Sequence, residues 1–217
     1  WSDFRMGTSS VHLLYCVSSP NATMEIGLCI RDYLDDPTRS IYKQVEESAE
    51  ICRQARSLGF AAIYAPQHFV PHHTVCLQLM QILARLAPNA DGLKLMTGIL
   101  LLAYFNPVDI AEQTATLNQI NNGRFILGLG LGYRELELEA FGTNRSERLS
   151  RFRESLEIMR LLWTGQEVNF DGNHWHIHGA RMAITPMQQP HPPIWIPSFT
   201  PANVKEWGRR GYSTAGL

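Results

Sequence analysis

Four short stretches carry residue types that could do chemistry or hold a ligand. His68 ends the string Tyr64-Ala65-Pro66-Gln67-His68, directly after an apolar run. An imidazole titrates near pH ~6.5, so it can move a proton or hydrogen-bond a reactive intermediate, although a surface histidine without a role reads the same way. Thr97-Gly98-Ile99 interrupts a second apolar run with a glycine, the mark of a bulge or of backbone brought close to a ligand. Gly128-Leu129-Gly130-Leu131-Gly132-Tyr133 is GxGxG rather than GxGxxG, and no acidic residue follows where a dinucleotide ribose needs one. Glycines at the C-terminal end of a parallel strand admit a flat ring to the backbone because no Cβ fills the space; crowding inside a barrel would favour them equally. Ser198, Thr200 and Asn203 follow a later strand candidate, where hydroxyls and unpaired N–H groups suit a phosphate or simply cap a helix.

Other polar groups point less clearly to a site. His72 and His73 are adjacent, so their side chains point apart. His174, His176 and His178 fall on one face of a strand, yet no acidic or cysteine partner at ligand spacing accompanies them and HExxH is absent; no metal is expected. Arg145, Glu147, Arg148, Arg151, Arg153 and Glu154 mix signs at helical spacing, which is ordinary helix support, while Arg145 or Arg148 could also meet an anionic substrate.

The elements that must position these residues alternate. Continuous apolar runs at 24–30, 61–65, 93–102, 125–131, 194–196 and 212–215 read as strands covered on both faces. Helical periodicity lies between them: Ile41, Val45, Ala49, Cys52, Ala55 and Leu58 before Gly59; Val75, Leu79, Ile82, Leu83 and Leu86 before Pro88; Ala111 and Ala115 between Pro107 and Asn122-Gly123; Leu149, Phe152, Leu156, Met159 and Trp163 before Gly165. The rhythm breaks at 164–193, where two short runs about Asp171-Gly172 predict a small hairpin, inserted on the surface or over one mouth. Strand-helix repetition predicts an α/β fold, either a (β/α)8 barrel with six of its strands in this chain or an open doubly wound sheet. In a barrel the strand ends carrying His68, Gly98 and Gly130 face the mouth at which catalytic groups collect. Residues 1–23 read as an extension of uncertain origin and 24–217 as the incomplete barrel.

The 217 residues are 45% apolar and 18% charged with a formal net charge of -1, a composition of ordinary globular chains that offers no field for nucleic acid or an anionic membrane. No apolar run is long enough to span a bilayer. The four cysteines form no CxxC pair and read as free thiols in a reducing, cytoplasmic setting, so the acceptor patterns at Asn21-Ala22-Thr23 and Asn144-Arg145-Ser146 read as chance.

The string from Gly123-Arg124-Phe125-Ile126-Leu127 through Gly128-Leu129-Gly130-Leu131-Gly132 strongly resembles the central signature of the bacterial luciferase-like flavin monooxygenases. Glu139-Ala140-Phe141-Gly142, Arg148, Arg151-Phe152, Glu154 and Leu161-Leu162-Trp163-Thr164-Gly165 continue the likeness; Met24-Glu25-Ile26-Gly27 is similar to the family's first strand, and Ala180-Arg181-Met182 through Pro192-Pro193-Ile194-Trp195-Ile196 to its insertion and fifth strand. The resemblance implies a (β/α)8 barrel, commonly dimeric, that binds reduced FMN or a deazaflavin coenzyme at its C-terminal mouth. It implies that His68 helps form or protect the flavin's oxygen adduct, and that Gly98-Ile99 carries a non-prolyl cis peptide whose bulge, with Thr97 before it, supports the ring. Gly130, Leu131 and Gly132 would line the flavin, and Ser198 and Thr200 would stand at the phosphate. Gln67 stands where many members have an acid, and Leu131 where some have an arginine; Tyr133 and Arg134 would line the pocket. The implied activity is oxygenation of a small organic substrate by reduced FMN and O2, with the flavin reduced by a separate reductase or by NAD(P)H. The alternatives are a deazaflavin-dependent hydride transfer and a non-catalytic, truncated flavin-binding barrel.

Overall fold

Apolar runs become parallel strands here because helices return the chain between them. The computed structural model describes residues 4–6, 9–11, 13–16, 25–30, 39–70, 76–198 and 200–214, and divides into two units, Trp1–Gly98 and Ile99–Leu217. Met24, His72, His73, Val75, Ala215 and Asn21-Ala22-Thr23 lie outside the described residues.

In the first unit, β1 (Phe4–Met6) and β2 (Ser9–Val11) form an antiparallel pair. A second sheet runs in the order β3 (Leu13–Cys16), β4 (Glu25–Cys29), β5 (Ala62–Ala65), β6 (Lys94–Thr97), with β4, β5 and β6 parallel. The extension left without structure by the sequence thus supplies β3, antiparallel to β4 with Leu13 opposite Leu28. Helix α1 (Ile41–Ser57) buries Ala49, Cys52 and Ala55, and the chain leaves it through Gly59 at φ 81°. Ile41, the first residue of α1, and Leu58, its C-cap, both expected on the buried face, are exposed at the two ends of the helix. Helix α2 (Leu79–Leu86) buries Leu79, Ile82, Leu83 and Leu86 as the spacing requires, then tightens into a 3-10 turn, Ala87–Asn89, that accommodates Pro88. Cys29, Cys52 and Cys76 are thiols outside any disulfide, and burial pushes the pKa of Cys52 up to about 12.

In the second unit, β8 (Phe125–Gly130) is flanked by two parallel strands, β7 (Leu100–Leu101) and β11 (Ile194–Trp195). Helix α3 (Pro107–Ile120) starts with Asn106 accepting from the Val108 N–H at 2.9 Å and Pro107 in its first turn. The expected fourth helix is α5 (Arg148–Leu162), preceded by a short α4 (Glu135–Ala140) that the sequence reading did not include. Phe152, Leu156, Met159 and the following Trp163 are buried, with Trp163 Nε1 donating to the Ala111 carbonyl at 3.1 Å; Leu149 is exposed in the first turn. The strand expected across 93–102 stops at Thr97, resumes at Leu100, and gives way to a 3-10 turn, Leu102–Tyr104. Helix α6 (Pro201–Arg209) follows β11, and the last expected strand reduces to Ser213, bridged to Trp195 in parallel.

The insertion forms β9 (Val168–Asp171) and β10 (His176–Ala180), an antiparallel pair joined by Gly172–Trp175 rather than by a two-residue Asp-Gly turn. The longer loop exists because Glu154 of α5 accepts from the N–H groups of Asn173 and His174, both at 2.9 Å. The far end of the insertion is tied down by fully buried Asn118 of α3, which accepts from Met187 N–H at 2.7 Å and donates to the Gln188 side chain at 2.5 Å. The class is α/β with mostly parallel strands, and within neither unit do the strands close on themselves.

Candidate active site

Candidate residues lie at the C-terminal ends of β5 and β6 in the first unit and of β8 and β11 in the second, and each is positioned within its own unit.

In the first unit His68 stands just past β5, half-buried, between buried Gln67 and Phe69. Thr97 ends β6 fully buried, and the Gly98 N–H reaches the Ala65 carbonyl at 2.7 Å. A Cβ on Gly98 would strike the Tyr64 ring. The Tyr64 hydroxyl is buried with no partner of hydrogen-bonding geometry; burial, and then the Cys29 thiol beside it, push its pKa up.

In the second unit the glycines after Leu129 also meet the chain's own side chains. A Cβ on Gly130 would fall on the tip of Ile99, and one on Gly132 on the ring and hydroxyl of Tyr104. Gly132 is further fixed by a left-handed backbone, φ 73°. Packing therefore accounts for these glycines, the alternative the sequence left open. Leu131 between them is half-buried.

Around Gly132 lies a cluster that sequence reasoning missed. Tyr104 is buried and stacks on Phe141 with ring centroids 5.2 Å apart. Its hydroxyl lies 3.4 Å from Oε2 of Glu137, a carboxylate only 1% exposed, which also accepts from Arg134 at 3.2 Å. Burial, and then the Glu137 charge, push the Tyr104 pKa up. In Glu135-Leu136-Glu137-Leu138-Glu139 nothing local distinguishes the buried acid from its exposed neighbours. Arg148 donates to the Gly132 carbonyl at 2.5 Å, Arg145 to that of Tyr133 at 2.8 Å, and Arg151 to that of Ala103 at 3.2 Å. Arg145 and Arg148, read from sequence as helix support or anion partners, instead bind main-chain carbonyls, Arg145 while also pairing with Glu135.

Past β11, Ser198 is 7% exposed and, among the described residues, its hydroxyl reaches the Ile196 carbonyl at 3.5 Å. Thr200 caps α6 by accepting from the Asn203 N–H at 3.3 Å. The cis peptide bond among the described residues is Gln189–Pro190, so Gly98–Ile99 is trans, in line with the roughly 3 kcal/mol a non-prolyl cis bond costs. The histidines of the insertion also separate. His174 lies in the loop against Ser150 at 2.8 Å, whereas His176 and His178 both face Asp171, at 3.1 and 3.3 Å. No group among the described residues could hold a metal ion.

A flavin or deazaflavin fits these residues in two respects and not in a third. The Tyr64 hydroxyl, beside the Cys29 thiol, could donate to a polar heterocycle, and Ser198, whose contact among the described residues is long, could receive a phosphate. The glycines do not form an open cradle, because Tyr64, Ile99 and Tyr104 occupy the space above them.

Comparison with known proteins adds a family. The model of the luciferase-like monooxygenases matches residues 24–214. The chain is 31% identical over 172 residues to an F420-dependent glucose-6-phosphate dehydrogenase of Amycolatopsis mediterranei, covering 75% of this chain and 50% of that protein. It is 28% identical over 158 residues to the oxygenase component of a flavin-dependent trigonelline monooxygenase of Acinetobacter baylyi, covering 72% of this chain and 44% of the relative. Among solved structures, monooxygenase RslO1 from Streptomyces bottropensis superposes with a TM-score of 0.79 at 27% identity, over 85% of this chain and 57% of that one. The chain spans about half the length of the curated relatives it matches.

Proposed function

Because this chain belongs to the luciferase-like monooxygenase family, we propose that it uses reduced FMN and O2 to oxygenate a small organic substrate. The observation that carries this is the family match across residues 24–214, which takes in His68, the Thr97–Ile99 stretch and the end of β8. The family is one of oxidoreductases, its members sharing an α/β fold of the luciferase-like barrel type.

When bound, the flavin supplies the electron chemistry. The chain's own residues divide the remaining work. Ser198 and Thr200 would receive the phosphate, Thr200 turning its hydroxyl from its present capping bond. The backbone at Thr97, Gly98 and Ile99 and at Gly130, Leu131 and Gly132 would support the ring through the side chains of Tyr64, Ile99 and Tyr104 that cover its glycines, and Tyr64 would donate to a ring heteroatom. His68 would hold or move a proton at its imidazole nitrogen, and its half-buried setting limits competing water. Reduced flavin would come from a separate NAD(P)H-dependent reductase, as the relative described as an oxygenase component suggests. A homodimer in a reducing, cytoplasmic setting completes the reading. No helix among the described residues is long and apolar enough to cross a membrane.

The 31% identity to an F420-dependent dehydrogenase favours a second reading, hydride transfer with a deazaflavin. Anaerobic titration followed by exposure to oxygen separates the two. The first reading expects saturable, micromolar binding of reduced FMN and a course of reoxidation that differs from free flavin, reverting to the free course in His68→Ala. Binding of F420 without reduced FMN would establish the second reading, and binding of neither would leave a non-catalytic barrel.

A further inference from the structure

We propose that Glu137 is a positioning residue: its buried carboxylate holds the Tyr104 hydroxyl in the space that a side chain at position 132 would fill, and so fixes the backbone leaving β8. The inference rests on the reading above in one respect, that Gly130, Leu131 and Gly132 support the cofactor.

The geometry lies within the second unit. A carboxylate removed from water is costly unless its partners replace the lost hydration, and a well-packed apolar side chain at such a place would often be no less stable. Glu137 has those partners, Arg134 at 3.2 Å and the Tyr104 hydroxyl at 3.4 Å. On the same short helix Glu135 and Glu139 stay at the surface, so α4 is turned to bury one particular acid beside Leu138. What that acid grips is informative. Tyr104 is held from its face by Phe141, and the preceding carbonyl, Ala103, takes Arg151 at 3.2 Å and Thr143 at 3.4 Å. The hydroxyl end, bound by Glu137, sits where only a glycine leaves room, and Arg148 closes the other side by donating to the Gly132 carbonyl. The backbone at the end of β8 is thus set by a side chain on the turn Leu102–Tyr104, and that side chain by an acid on α4. Glu137 acts through Tyr104.

Glu137→Gln and Tyr104→Phe test this, the second leaving the stacked ring in place so that folding is kept. In cofactor-free protein, amide hydrogen exchange at 131–134 is expected to speed up by about tenfold in each variant, while 125–129 within β8 stays unchanged. The double variant should exchange no faster than the faster single one, because both remove the same contact. Reduced FMN should bind about tenfold more weakly in each. Unchanged exchange at 131–134, or acceleration spread equally over 125–129, would overturn the proposal; the latter is what a merely structural acid would give. If the unaltered protein binds no reduced FMN, the functional reading fails, and the exchange comparison still decides the role of Glu137.

Discussion

Gly132 and Gly130 sit two residues apart on the same chain segment, yet they differ in what a methyl group would meet. At Gly132 the backbone is left-handed and the obstacle is the ring and hydroxyl of a buried, stacked tyrosine; at Gly130 it is the mobile tip of Ile99. Gly132→Ala should therefore cost about 2–4 kcal/mol, combining backbone strain with overpacking, and Gly130→Ala about 1 kcal/mol, as measured by denaturant unfolding. Equal losses at the two positions would mean that Tyr104 yields as easily as Ile99. At this scale the sequence was half legible. It marked both glycines and left open whether a ligand or crowding required them; only the three-dimensional neighbours, Ile99 and Tyr104, answer that. It could not mark Glu137, because an acid in an alternating Glu-Leu string looks solvated until its partners on another segment are seen.

At the scale of elements, the loop of the β9–β10 hairpin is fastened to α5, in part by one acid, Glu154. Burial pushes the Glu154 carboxyl up, but the N–H groups of His174 and Asn173 outweigh it and hold the group below the usual carboxylate range. Trp175 adds a bond from Nε1 to fully buried Ser155 at 3.0 Å and lies under the Arg151 guanidinium. A group with a lowered folded pKa contributes stability that is present above its ordinary pKa, about 4.3, and lost as pH falls through the folded value. Glu154→Ala should thus be about 1–2 kcal/mol less stable than the unaltered protein at pH 7, with the gap closing in acid. A gap that stays constant down to pH 3 would show that the charge contributes nothing. The hairpin itself was legible from two short runs around Asp171-Gly172, but its loop was not, because the acid that shapes it comes from a helix 19 and 20 residues away. Helix α3 was read correctly at both ends, since Pro107 and Asn122-Gly123 are local signals. Helix α4 was missed because six residues are too few to show a period.

For the whole molecule, alternating strands and helices gave the α/β class, and the spaced string from Gly123 to Gly165 gave the family. Neither kind of signal distinguishes FMN from a deazaflavin. That choice depends on which polar atoms face the ring, and relatives of both kinds lie at comparable distance. The central claim is that this chain binds reduced FMN at residues near the C-terminal ends of its parallel strands. Protein NMR under anaerobic conditions, with reduced FMN titrated into isotopically labelled protein, tests it most directly. The account expects saturable ring-current shifts among His68, Gly98, Ile99, Gly130 and Gly132. No saturable shift, or saturable shifts lying away from all of these residues, would contradict it.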